Sequence, residues 1–131
     1  MVMKQLETYK NNRITTASGP NLTLMLYNGC IKCIQQALRD VEQNHFESKN
    51  KHIQKAQNII TELMLTLDTN IPISKQFLSL YEFAHYQLQQ GNIHHDKQLI
   101  EEALDVIVEF RDTWKEAITT QTSTYVQGKQ I

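Results

Sequence analysis

Four glycines and two prolines in 131 residues leave this chain few places to turn. Such scarcity favours long uninterrupted helices. Alternating apolar and polar runs between turn residues are absent, which argues against strands and a mixed α/β fold. Lys and Arg form no block and the formal net charge is −1. No phosphate-binding face is indicated, so nucleic acid is not an expected partner. No apolar run approaches the ~18 residues that span a bilayer, so membrane insertion is not expected. The opening stretch, Met1 to Arg13, is polar and lacks the apolar core of a signal peptide. A cytoplasmic location follows as an expectation, and with it two reduced cysteines, Cys30 and Cys33. Gly19, Gly29, Gly91 and Gly128 stand apart, so no phosphate-cradling loop is present and no cofactor is expected.

What remains is ordinary in amount and regular in arrangement. Apolar residues make up 40% and charged residues 21%, a normal balance for one globular domain. Four amphipathic segments follow one another. The first starts after Ser18-Gly19-Pro20, where Ser18 suits a helix cap and Pro20 a first turn. Its stripe is Leu22, Leu26, Cys30, Cys33, Ala37 and Val41, broadened by Met25, Ile34 and Leu38. The second follows Asn44-His45-Phe46-Glu47, which has the form of a capping box. Its seam is Ile53, Ala56, Ile60, Leu63 and Leu67, with Ile59 and Met64 beside it. Pro72 closes the region after it. The third has Ser74 as its expected cap and a seam of Phe77, Tyr81, Ala84 and Leu88. Leu78 and Leu80 lie alongside, and Gly91-Asn92 is the expected stop. The fourth starts at Asp96 and carries Ile100, Ala103, Ile107, Phe110 and Trp114, with Leu99, Leu104 and Ile118 near the stripe.

Short links make consecutive helices antiparallel, so the expected fold is all-α, an up-down four-helix bundle. The expected domain is residues 1–118, including an N-terminal segment over residues 1–17 packed on the bundle. Residues 119–131 lose the pattern and read as a flexible tail.

The chemistry-bearing patterns have bland readings. Cys30-Ile31-Lys32-Cys33 has redox or zinc spacing, but a zinc site needs further ligands and a thioredoxin-like motif needs a βαβ setting. Both cysteines fall on the apolar stripe and read as small core residues. Glu42-x-x-His45 and Glu82-x-x-His85 resemble half of a di-iron carboxylate set. The first pair ends its helix, the second sits mid-helix, and neither glutamate lies on its seam. Solvated helix edges are the better reading. His94-His95 lies in a turn, and Ser and Thr spacing alone names no triad.

Two apolar groups leave alternatives open. Leu6, Tyr9 and Ile14 interrupt a polar N-terminal stretch, either as a clip onto the bundle or as part of a surface that holds a guest. Segment two carries more apolar residues than one seam buries, so it lines either the core or a groove, with small Ala56 leaving a depression.

Tyr9, Thr16-Ala17-Ser18 and Leu24-Met25-Leu26-Tyr27-Asn28-Gly29 together resemble the N-terminal signature of the flagellar secretion chaperone FliS family. Lys55-Ala56-Gln57-Asn58-Ile59-Ile60 with Leu63 and Leu67 looks like its second-helix motif. Leu80-Tyr81 is similar to the third-helix motif, and Asp96 with Trp114-Lys115-Glu116-Ala117 to the fourth. The pieces run in order from about Leu6 to Ile118. One departure is Gly19, which intervenes before Pro20 where the family has proline directly. The resemblance implies a four-helix chaperone, not an enzyme, that binds the C-terminal region of flagellin before export. It implies that the N-terminal segment covers part of the guest surface when no guest is present. Contacts with the export gate and with flagellar regulators are also implied. On this view the partner-binding residues are Leu6, Tyr9 and Ile14, then Leu22, Met25 and Leu26, then Ile53, Ala56, Ile59, Ile60 and Leu63. The competing expectations are a di-metal carboxylate bundle and a helical scaffold without chaperone activity.

Overall fold

The computed structural model describes residues 19–130, with side chains as far as Thr119. Four helices follow in order: α1 (Gly19–Glu42), α2 (Phe46–Leu65), α3 (Ser74–His94) and α4 (Lys97–Gln130). Each packs on its neighbours in sequence, and α1 also packs on α4. Among the described residues the side chains of Tyr27 on α1 and Tyr81 on α3 meet across the bundle, while the backbones of diagonal helices stay apart. This closes a square, antiparallel, up-down bundle, as the short links require.

The core is built from the predicted seams. Ile34, Ala37, Ile53, Ala56, Ile60, Leu63, Ala84, Leu88, Ile100, Ala103 and Ile107 have no exposed surface. Cys30 joins them, its thiol facing the Ala56 carbonyl at 3.7 Å. Cys33 is half-buried. Burial raises both thiols above their ordinary value, which favours their protonated forms.

Three of the expected helix ends differ, each for a visible reason. Asn44 adopts a left-handed conformation at φ 58°. His45 N–H then reaches back to the Asp40 carbonyl at 2.8 Å, and Asn44 N–H to that of Val41 at 3.2 Å. That pattern is a helix-ending Schellman motif. Asn44 is therefore spent on closing α1 and does not cap α2, whose cap position is His45 with no side-chain bond. Ser74 does not cap α3 either. It lies within the helix, and its hydroxyl donates to the Asp68 carbonyl at 2.6 Å, closing the α2–α3 loop.

The third difference is at Gly91. The helix passes through it and ends at His95, which takes the left-handed position at φ 51°. Asp96 N–H bonds the Gly91 carbonyl at 2.9 Å, a second Schellman closure. Gly91 instead permits close approach. A Cβ there would lie 2.7 Å from Ile100 Cγ1, with Asp96 O at 3.2 Å and Ile100 N at 3.3 Å. Asp96 does cap α4, accepting from the amides of Gln98 at 3.0 Å and Leu99 at 3.4 Å.

The fourth helix also outruns its expected length. It continues as helix to Gln130 rather than stopping at Ile118. Residues 119–127 contain no proline or glycine to break it, and Gly128 comes only at the end. Leu6, Tyr9, Ile14 and the expected Ser18 cap lie outside the described residues.

Candidate functional site

At the end of the bundle where α2 gives way to a loop, the square opens. Residues 66–73 form no helix, while α1 and α4 run on beside them. Pro72 disfavours helix in Ile71 before it, and Ile71 and Ile73 on either side of it lie exposed at the surface. The space left between α3, α4 and the start of α1 is an apolar groove of about 740 Å³. Its floor is aromatic. Tyr27, Phe77, Tyr81, Phe110 and Trp114 all line it, and Phe110 sits among three of them. Its ring centroid is 4.7 Å from Tyr81, 5.9 Å from Tyr27 and 5.4 Å from Phe77. Thr23, Thr113 and Ala117 are small residues in the lining, and their size keeps the groove open.

Two polar details fix that floor. The hydroxyls of Tyr27 and Tyr81 meet at 2.5 Å, and both residues are 2% exposed. Burial raises the Tyr27 phenol above its usual range, and the Tyr81 bond pulls it partway back. Burial and then the bond from Tyr27 push Tyr81 up further. Both stay neutral, so the groove floor carries no charge. Trp114 Nε1–H donates to the Pro20 carbonyl at 2.8 Å. The start of α1 is therefore tied to α4 at the groove's edge.

The opposite end is sealed by polar side chains. Asp40 is almost wholly buried and bonds Ser48 at 2.8 Å, Gln36 at 3.0 Å and His52 at 3.1 Å. Burial acts to raise its carboxyl, but these bonds prevail and hold it below the ordinary value. Lys49 is fully buried, donates to the Asn92 carbonyl at 2.9 Å and contacts His95 Nδ1. Its ammonium also lies 5.3 Å from the Phe46 ring centre, and that ring stacks on His95 at 3.9 Å. Burial pushes the Lys49 ammonium down. These contacts pin the α3–α4 corner to the start of α2.

The candidate partner-binding residues divide accordingly. Ile53, Ala56, Ile60 and Leu63 are wholly interior in this bundle, and Leu26 and Ile59 nearly so. Leu22 and Met25 are half-buried on α1. None of these eight lines the groove. The residues that do include Phe77, Phe110 and Trp114, which were read as seam, and Ile71 and Ile73 on either side of Pro72. Leu80, off the α3 seam and 44% exposed, was the signal available in the sequence.

The other patterns resolve as geometry. Glu42 is exposed and accepts from Lys97 at 2.5 Å, which lowers its carboxyl and raises the Lys97 ammonium. Glu82 is exposed on α3, and His85 is half-buried. Among the described residues no group of three His, Cys, Asp or Glu could hold a metal ion. No described helix is long and apolar enough to cross a membrane.

The family model described as flagellar protein FliS matches residues 2–121. The flagellar secretion chaperone FliS of Bacillus subtilis is 42% identical over 113 residues, covering 86% of this chain and 85% of the relative. That of Vibrio cholerae is 27% identical over 115 residues, covering 83% and 85%. A crystal structure of a bacterial flagellar chaperone superposes with a TM-score of 0.72 at 20% identity, covering 90% of this chain and 98% of its own. At that identity the likeness concerns the fold alone, and it agrees with the four-helix bundle. With a family model that spans nearly the whole chain and a relative this similar, the chain belongs to the FliS family of flagellar proteins.

Proposed function

We propose that this chain is a cytoplasmic export chaperone that binds the C-terminal region of flagellin and keeps it from polymerising before secretion. The observation that carries the reading is the open aromatic groove at one end of an otherwise closed bundle. An exposed apolar concavity of this kind suits one face of an amphipathic helix. A filament subunit exposes such helices as a free chain and needs them covered until it has been exported. Ordering the guest offsets part of the contact energy, which keeps the complex releasable. The reading asks for no reaction. It also moves the guest surface from the interior of α2 to the mouth of α3 and α4. Leu6, Tyr9 and Ile14 remain in the proposed surface. The Trp114–Pro20 bond sets the start of α1 beside the groove, and the segment before it would compete with the guest or help hold it. Contact with the export gate and flagellar regulators is part of the same proposal.

Calorimetry with the purified flagellin C-terminal segment tests it. One guest should bind per chain. Ala117→Trp, which fills the groove, should reduce affinity at least tenfold, and Tyr9→Ala should weaken binding, both with helicity unchanged. No binding by the unmodified chain at micromolar concentration would sink the proposal.

A further inference from the structure

The two walls of the groove are chemically unlike. Gln87 on α3 donates to Glu102 on α4 at 2.5 Å and bridges the two antiparallel helices there. One heptad back along α3 stands Leu80, and one heptad on along α4 stands Glu109; both line the groove. A second heptad step gives Ile73, also in the lining, and Glu116. The rows that are bridged at Gln87 and Glu102 thus continue as apolar residues on α3 and carboxylates on α4. A leucine or isoleucine cannot satisfy a carboxylate, so the bridge is not repeated and the mouth gapes. Leu80 and Ile73 are 44% and 45% exposed. Glu109 and Glu116 are exposed, and neither has an ion-pair or hydrogen-bond partner among the described residues. The nearby guanidinium of Arg111 is taken by Asp112 at 2.6 Å and by Asn28 at 3.2 Å.

We propose that the groove selects a guest helix whose α4-facing flank is basic. Its apolar face would lie on Ile73, Leu80 and the aromatic floor, and Lys or Arg along one edge would pair with Glu109 and Glu116. The two carboxylates are seven residues apart on one helix, about 10 Å. Guest cations spaced seven residues apart on a helix lying along α4 match that separation. The asymmetry also fixes the guest's rotation about its axis, because a half-turn would set its cations against Ile73 and Leu80. This inference rests on the groove being the guest site. It adds the charge pattern and orientation of the guest.

The test titrates the full chain with the flagellin C-terminal segment at low and at high salt. Glu109→Lys combined with Glu116→Lys should lower affinity about fivefold at low salt, the scale of two exposed ion pairs. The difference should shrink in about 1 M salt, where screening is nearly complete. Reversing the facing guest cations to Glu should restore binding to the reversed chaperone. Glu47→Lys combined with Glu101→Lys makes the same change in net charge away from the groove and should have a smaller effect. If the control pair weakens binding equally, only net charge matters and the proposal falls. If Glu109 and Glu116 reversal changes nothing while Ala117→Trp still abolishes binding, the groove stands but its charge selectivity does not. If Ala117→Trp binds normally, both readings fall together.

Discussion

The hydroxyl pair between Tyr27 and Tyr81 illustrates how much a single buried contact depends on both partners. Each hydroxyl satisfies the other beneath the groove floor, away from water. Replacing one tyrosine with phenylalanine strands the remaining hydroxyl in apolar surroundings. That costs about 1–3 kcal/mol, whereas removing both hydroxyls is close to neutral. Tyr27→Phe and Tyr81→Phe should each lower stability in urea unfolding, and the double variant should recover most of the loss. Additive losses would show that the hydroxyls do not act as a pair. The neighbouring aromatic residues were all legible as apolar positions at helical spacing. Their assembly around Phe110 was not, because Tyr27 and Phe110 are far apart in sequence and meet only when α1 and α4 pack.

Among the elements, α3 departs most from its local signals. Gly91-Asn92 looks like a stop because glycine so often takes the left-handed position after a helix. In the structure the helix continues and His95 takes that position, held by Phe46 stacking and the Lys49 contact. The glycine is needed because the α3–α4 corner is tight. Gly91→Ala should gain roughly 1 kcal/mol of helix propensity. It should lose more than that to overpacking, which typically costs about 1–3 kcal/mol. Ile100 can yield only in part, because the next nearest atoms, Asp96 O and Ile100 N, are backbone. A net destabilisation of about 1–2 kcal/mol is expected, read as a lower urea midpoint at unchanged slope. A stabilised variant would mean that the corner has slack. The Asp96 cap was readable in advance because it is a local bond to amides two and three residues on. The Ser74 cap failed because its hydroxyl is claimed by the Asp68 carbonyl six residues back.

For the whole molecule, the closed end and the open end have different roles. The closed end depends on Asp40, whose hydrogen bonds hold its carboxyl below the ordinary value despite burial. A carboxyl depressed in the folded state contributes stability above its unfolded value, about 3.9, and loses that contribution as pH falls through its folded value. The bundle should therefore lose this contribution as pH falls below about 4. Asp40→Asn should be less stable near pH 7 but flatter across the acid range, as followed by thermal melts between about pH 2 and 7. An acid limb as steep as that of the unmodified chain would remove Asp40 as its source. Asp40 was invisible as a structural residue in the sequence, where it reads as one more polar position near a helix end. Its role appears only when Ser48 and His52 of α2 come alongside.

The number of helices, their seams and the family were all written in the chain itself. Helical periodicity and ordered short motifs are local properties, and any stretch of about four turns carries them. Whether an apolar residue is core or groove is not local. It depends on how four wide apolar arcs are rotated against one another and on where one helix stops short. Ala56, Ile60 and Leu63 looked capable of forming a depression, but α1 and α3 flank α2 and these residues face inward with no exposed surface. Leu80 read as a residue beside the α3 seam, and Ile73 drew no reading at all. They became the wall of the groove because α2 ends at Leu65 and no described helix covers the space beyond it. Tertiary structure decided the place of the groove, because burial belongs to the packed assembly and not to any one helix.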